Sequence, residues 1–213
     1  MTFVGESQKT IMTLPEAIVA LSELKGVLEY AGIEYMVVGS LASSIHGLPR
    51  ATRDADLVVL INYPQVKKLI AGLGARFYMS EDAAIDAIRH GTSFNIIHEE
   101  TFFQVDLFVM KPTPFNKEQF ERREYVEIDP ERSIAMPFQS AEDTILSKLD
   151  WFRQGREVSE RQWQDVIGIL RAQGNQLNLE YLHRWAANLS VDDLLQRALE
   201  EYWPQSSTAK DDL

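Results

Sequence analysis

Apolar residues return every three or four positions through "LPEAIVALSELKGVLEYAG" (14–32), and the stretch ends in glycine. That period puts the apolar side chains on one face of a helix, with Gly32 as the stop. The next run, "IEYMVVGS" (33–40), is β-branched and aromatic and predicts a strand halting at Gly39-Ser40. "LASSIHG" (41–47) has room only for a short helix. "DADLVVLI" (54–61) reads as a second strand, and "YPQVKKLIAGLG" (63–74) as a helix opened by proline and closed by glycine. A short helix over 82–91 follows. "SFNIIH" (93–98) and "FFQVDLFVM" (102–110) read as adjacent strands joined by the acidic turn "EET". Beyond them the pattern predicts a short helix over 113–123 and small strands over 124–128 and 133–137.

The rhythm changes at Ser140. "SAEDTILSKLDWFRQG" (140–155) opens with a serine cap and keeps a helical period to its glycine. Three more helical stretches follow over 159–174, 178–189 and 190–203, and the polar residues 204–213 are expected to fray. The pattern therefore predicts an α/β (α+β) core over residues 1–138 and a helical C-terminal module over 139–213. No glycine- or serine-rich linker separates them, so the two are expected to pack closely.

Composition narrows the function classes. The chain has 213 residues, 45% of them hydrophobic, enough for a sizeable core. Cysteine is absent, which excludes disulfides and thiolate metal sites and is consistent with a cytoplasmic protein. The N-terminus lacks a basic start followed by an apolar signal core, and no apolar run is long enough for a membrane span. The expectation is a soluble protein without a membrane partner. Lysine and arginine total 21 against 32 aspartates and glutamates, a net charge of −11. Such a field disfavours broad nucleic-acid binding but leaves room for a local basic groove.

The chemistry concentrates in "GSLASSIHGLPRATRDADLVVL" (39–60). Alternation along a strand puts Asp54 and Asp56 on one face, with Thr52 before them on the same side. Two carboxylates a few ångströms apart repel by roughly 4 kcal/mol at an effective dielectric near 20. A divalent cation between them removes that penalty, and magnesium prefers such hard oxygen ligands. Asp106 is the only charge in "FFQVDLFVM"; with Val105 and Leu107 turned to the core, it faces the other way. If the two strands are neighbours, three carboxylates converge. Gly39-Ser40, between a strand and a helix start, offers free backbone N–H groups of the kind that bind phosphate. Arg50 and Arg53 are placed either to contact phosphates or to neutralise the acids beside them.

This ordered set resembles the nucleotidyltransferase superfamily related to DNA polymerase beta. "GLPRATRDAD" and "EDTILSKLDW" look most like its AbiEii-like abortive-infection toxin branch and bacterial relatives. The resemblance implies a mixed sheet flanked by helices, with Gly39 and Ser40 at the triphosphate and Asp54 and Asp56 on its metal. Asp106 would be the third acid, sharing the catalytic metal of two expected magnesium ions and helping to deprotonate an acceptor hydroxyl. It also matches Lys148 to a lysine near the nucleotide phosphates and Asp165 to a further acid without an assigned role. The partners implied are a nucleoside triphosphate and an acceptor (transfer RNA, protein or small molecule), with an antitoxin if the chain is a toxin. The densely basic continuation of many toxin relatives is missing after Lys148.

Other readings stand beside this one: a non-catalytic nucleotide-binding or protein-interaction module on the same fold, or a transferase acting on a small antibiotic-type molecule. His46, His90, His98 and His183 are scattered without zinc spacing. Trp151, Trp163, Trp185 and Trp203 fall at intervals that suit a helical core, with base stacking by one of them as the alternative.

Overall fold

Polar caps and glycine stops set the element boundaries. The computed structural model describes residues 15–202, so Trp203 and the tail expected to fray lie outside the described residues. In order, the chain forms α1 (Pro15–Ala31), β1 (Glu34–Val38), α2 (Gly39–His46), β2 (Asp54–Leu60) and α3 (Tyr63–Leu73). Then come β3 (Phe77–Met79), α4 (Glu81–His90), β4 (Ser93–His98), β5 (Gln104–Val109) and α5 (Pro114–Glu121). β6 (Glu124–Asp129) and β7 (Ile134–Phe138) complete the sheet. The rest is α6 (Ala141–Gln154), α7 (Glu160–Gln173), a 3-10 turn (Gly174–Gln176), α8 (Leu179–Leu189) and α9 (Asp192–Tyr202). Asn62, Ser80, Thr113, Ser140, Ser159 and Asn178 each accept a backbone N–H in the first turn of the helix that follows. No helix among the described residues is long and apolar enough to cross a membrane.

The seven strands form one mixed sheet in the order β3-β4-β5-β2-β1-β7-β6. β2 pairs parallel to β5 and β1 parallel to β7; the other neighbours are antiparallel. Alternation splits the sheet into two unlike faces. Val37, Leu57, Val59, Ile96, Val105 and Leu107 are fully buried against α1, α3 and α4 in the first apolar cluster. The opposite face carries Asp54, Asp56, Val58, Asp106 and Phe108 and is only partly covered. α6 to α9, with Phe115 of α5, enclose a second apolar cluster around Ile145, Leu149, Val166 and Leu182.

Two contacts fix how the C-terminal helices stand against the sheet. At the start of α6, Ser140 Oγ accepts the Asp143 N–H at 3.2 Å and donates to Asp143 Oδ2 at 2.7 Å. The buried Asp143 also accepts from Tyr181 (2.5 Å) and Arg122 (3.2 Å), tying α5, α6 and α8 together. At the end of α2, a Cβ on Gly47 would lie 2.9 Å from the Ile169 backbone nitrogen and 3.0 Å from the Gly168 carbonyl carbon. Only glycine lets the two backbones meet there. His46 Nε2 donates to the Gln139 carbonyl at 2.7 Å from the same turn, so that histidine is structural.

Gly47→Ala is therefore expected to lower stability by about 1–3 kcal/mol, because rigid backbone must move to admit the methyl group. Gly168→Ala places its Cβ 3.5 Å from Leu48, an ordinary contact, and should change Tm little. Thermal denaturation of the two variants side by side checks the asymmetry.

Candidate active site

The register of β2 against β5 builds the acidic half of the site. Asp54 pairs with Gln104 and Asp56 with Asp106. Buried Ala55, Leu57, Val105 and Leu107 occupy the alternate positions, so all three aspartates project from the partly open face. Neighbouring parallel strands lie ~4.8 Å apart and alternate residues ~6.6 Å, which makes the three carboxylates immediate neighbours. Thr52 Oγ1 donates to Asp54 Oδ1 at 2.9 Å, and Gln104 Nε2 to Asp106 Oδ1 at 2.8 Å. Thr52 is thus a buried support for Asp54.

Gly39 lies at the C-terminal end of β1, beside Asp56, and opens α2. Its φ is +64°, and a Cβ there would fall inside contact distance of Asp56 Oδ2 and 2.8 Å from its Cγ. Glycine is required for both reasons. The Ser40 N–H donates to the Asp56 carboxylate, so the amide-rich helix start and the acid cluster form one continuous surface. Burial first, then the charges of Asp54 and Asp106, push Asp56 above the usual carboxylate range, against the opposing pull of Lys148 and the Ser40 N–H.

The basic half surrounds Ser40 from the other side. Arg50 Nη2 donates to Ser40 Oγ at 2.9 Å, and Arg161 Nη2 reaches the same oxygen at 3.3 Å. Arg50 also grips both oxygens of Asp165, through Nε and Nη2 at 3.1 Å each. Lys148 Nζ meets Asp165 Oδ2 at 2.8 Å, and both side chains are 9% exposed. Burial pushes Asp165 up, but the hydrogen bonds and charges of Arg50 and Lys148 outweigh it and hold the carboxyl below its ordinary value. Asp165 thus has a physical role: one carboxylate from α7 holds two cations, from the α2–β2 loop and from α6, beside the start of α2. Arg161 joins them without any signal in the sequence, since a lone exposed arginine on an amphipathic helix has no distinguishing pattern.

Other residues singled out from the sequence fall elsewhere. Arg53 is exposed and makes no ion pair among the described residues; the neutralising role considered for it next to the acids is not seen, and Arg50 pairs with Asp165 instead. His98 is buried against Phe77, and His90 pairs with Asp86 on α4. Trp163 and Trp185 are buried in the second apolar cluster, whereas Trp151 is 56% exposed.

A cleft of about 760 Å³ begins at Gly39, Ser40, Asp56 and Lys148 and runs between the open sheet face and α6. Val58 and Phe108 line one wall and Ser147 and Trp151 the other. The donor set of Asp54, Asp56 and Asp106 is oxygen only, which suits a hard divalent cation, and the mutual repulsion at Asp56 is what such a cation relieves. Among the described residues, no three His, Asp or Glu side chains stand closed around one ion position as they lie.

Converting Asp56 to asparagine keeps an acceptor for the Ser40 N–H and removes one of three like charges. A carboxyl whose folded-state pKa is raised contributes stability at low pH and loses it as the pH rises through that value. Asp56→Asn is therefore expected to melt about 2–4 °C above wild type at neutral pH. The gap should close as the pH falls below the range in which Asp56 titrates. Melting curves across pH check both parts.

No family model matches the chain, and no curated protein matches it. Among solved structures the fold is similar to an antigenic nucleotidyltransferase-like protein from Paracoccidioides brasiliensis, at a TM-score of 0.53 and 18% identity. That match covers 87% of this chain and 92% of the other. It is also similar to ANT(2")-Ia in complex with adenylyl-2"-tobramycin, at a TM-score of 0.56 and 10% identity, covering 82% of this chain and 97% of the other. The fold of this chain is that of nucleotidyltransferase-like proteins.

Proposed function

We propose that this protein moves a nucleoside monophosphate from a nucleoside triphosphate to an acceptor hydroxyl, releasing pyrophosphate. The observation that carries the reading is the facing of three strand-borne carboxylates and a cluster of three cations across the Gly39-Ser40 turn. Anionic oxygens gathered on one side and phosphate-seeking groups on the other match the two needs of phosphoryl chemistry.

In this reading the triphosphate lies along the start of α2, with Arg50, Lys148 and Arg161 neutralising its oxygens and Asp165 keeping two of them in place. Asp54 and Asp56 would hold magnesium against the nucleotide, and Asp106 would share a second ion. Magnesium bound there supplies Lewis-acid polarisation and charge neutralisation at the phosphates. The acceptor oxygen forms a bond to the α-phosphorus, and the bond from that phosphorus to its bridging oxygen breaks. Pyrophosphate leaves with the electron pair, and the hydroxyl proton passes to Asp106 and then to water. In this reading the cleft that opens at Gly39, Ser40, Asp56 and Lys148 takes both substrates, which would convert a bimolecular encounter into a positioned one.

The net charge of −11 supports a neutral or cationic acceptor over a polyanion. ANT(2")-Ia, of similar fold, is seen with an adenylylated antibiotic, which supports a small-molecule acceptor here as well. Incubation with α-labelled triphosphates, magnesium and fractionated cell extract tests the reading. Wild type should release pyrophosphate and leave label on a small molecule. Asp106→Asn should lose about 10²–10⁴-fold in rate while remaining folded. Label on transfer RNA instead would indicate the acceptor of an abortive-infection toxin, and equal labelling by wild type and Asp106→Asn would defeat the reading.

A further inference from the structure

We infer that Trp151 is the stacking platform for the base of the bound nucleotide, and that the acceptor oxygens beside it favour bases bearing an exocyclic amino group. The inference rests on the reading of the cation cluster as a polyphosphate site. Trp151 is 56% exposed and lines the cleft, whereas the other two described tryptophans are 6% and 7% exposed and packed in the helical core. Its ring is not one of the buried or partly buried members of the second apolar cluster. A large, rigid aromatic left on a cleft wall is an economical way to hold a flat ligand.

Helix geometry connects it to the phosphate end. Lys148 and Trp151 are three residues apart on α6, so they share a face, displaced by ~4.5 Å along the axis. Lys148 is held at the Ser40 end of the cleft by Asp165. A nucleotide with its phosphates there extends its sugar and base along the same wall, towards Trp151. The opposite wall carries Val58 and Phe108, apolar surface suited to the second face of a ring.

The polar groups near Trp151 set which edge is preferred. Gln154 Nε2 donates to Asp150 Oδ2 at 2.9 Å. A carboxylate only accepts, so this bond fixes the amide orientation and leaves Gln154 Oε1 as an acceptor. Asp150 brings carboxylate oxygens to the same cleft. Between Asp150 and Gln154 the acceptor oxygens, two carboxylate and one amide, outnumber the single N–H that Gln154 Nε2 has left over. Adenine, cytosine and guanine carry an amino donor that satisfies them, whereas uracil presents only carbonyl oxygens and one ring N–H.

Binding of ATP, UTP and inorganic tripolyphosphate to the full chain, followed by calorimetry and tryptophan emission in magnesium buffer without acceptor, tests this. ATP should quench the emission of wild type, and the quench should vanish in Trp151→Phe while affinity is retained. Trp151→Ala should bind ATP about tenfold more weakly and tripolyphosphate as well as wild type does. UTP should bind wild type about tenfold more weakly than ATP. Tripolyphosphate binding together with ATP affinity unmoved by Trp151→Ala, or a quench that survives in Trp151→Phe, would overturn the stacking role and leave the polyphosphate site standing. Equal affinity for ATP and UTP would overturn the edge preference. Failure of both ATP and tripolyphosphate to bind would remove the parent reading, and this inference with it.

Discussion

Parallel pairing of β2 with β5, residue for residue from Asp54–Gln104 to Val59–Val109, is the constraint from which the rest of the site follows. Side chains alternate across a sheet, so a slip of one residue would turn Asp106 into the core and Leu107 out of it. The apolar face prevents that slip, because Ala55, Leu57, Val59, Val105 and Leu107 are buried together beneath α1, α3 and α4. The same packing that stabilises the fold thereby holds three carboxylates side by side. Their repulsion is a cost imposed on the sheet by its register, and it adds to burial, the larger cause, in raising the affinity of Asp56 for a proton.

The C-terminal helices answer that charge. α6 and α7 bring Lys148, Arg161 and Asp165 to the start of α2, where Arg50 completes the cluster. Asp165 keeps cations that would otherwise repel one another at one point and joins the helical module to the loop leading into β2. Two anchorages hold this arrangement in place: the backbone contact at Gly47 and the Asp143 network at the head of α6. The chain as a whole is strongly acidic, so the cluster at Ser40 is a local basic site within an acidic protein. A small phosphorylated ligand can use such a site, whereas a long polyanion also meets the surrounding acid.

The periodic elements were legible in the sequence because each carries its own punctuation. α3 runs between Asn62 and Gly74, α4 between Ser80 and Gly91, and α6 between Ser140 and Gly155, and these ends match the caps and stops. β3 escaped notice, since three residues at a sheet edge are too few to show alternation. The strand expected over 102–110 begins only at Gln104, because Phe102 adopts a left-handed conformation (φ 55°) in the preceding turn. Alternation puts Asp54 and Asp56 on one face and turns Asp106 from the core, but their meeting needs β2 beside β5, which alternation does not decide. Of the site's basic half, Arg50, Lys148 and Asp165 stand out in the sequence but neither their pairing nor Arg161 does: Arg50 and Asp165 are 115 residues apart, and Arg161 and Ser40 are 121 apart. Nor does composition indicate that the Ser40 hydroxyl accepts from two arginines, or that its N–H already serves Asp56. Such long-range pairings are set by how α7 packs on α2, which local pattern does not encode.

The proposal stands on Asp54, Asp56 and Asp106 jointly holding the divalent cations of the nucleotide, opposite a polyphosphate cradle. Manganese is a paramagnetic substitute for magnesium, and its binding is read directly by electron paramagnetic resonance with and without an unreactive triphosphate analogue. The account predicts that the analogue tightens manganese binding and that Asp54→Asn, Asp56→Asn and Asp106→Asn each weaken it by about tenfold or more. Manganese bound equally well by all three folded variants would contradict it.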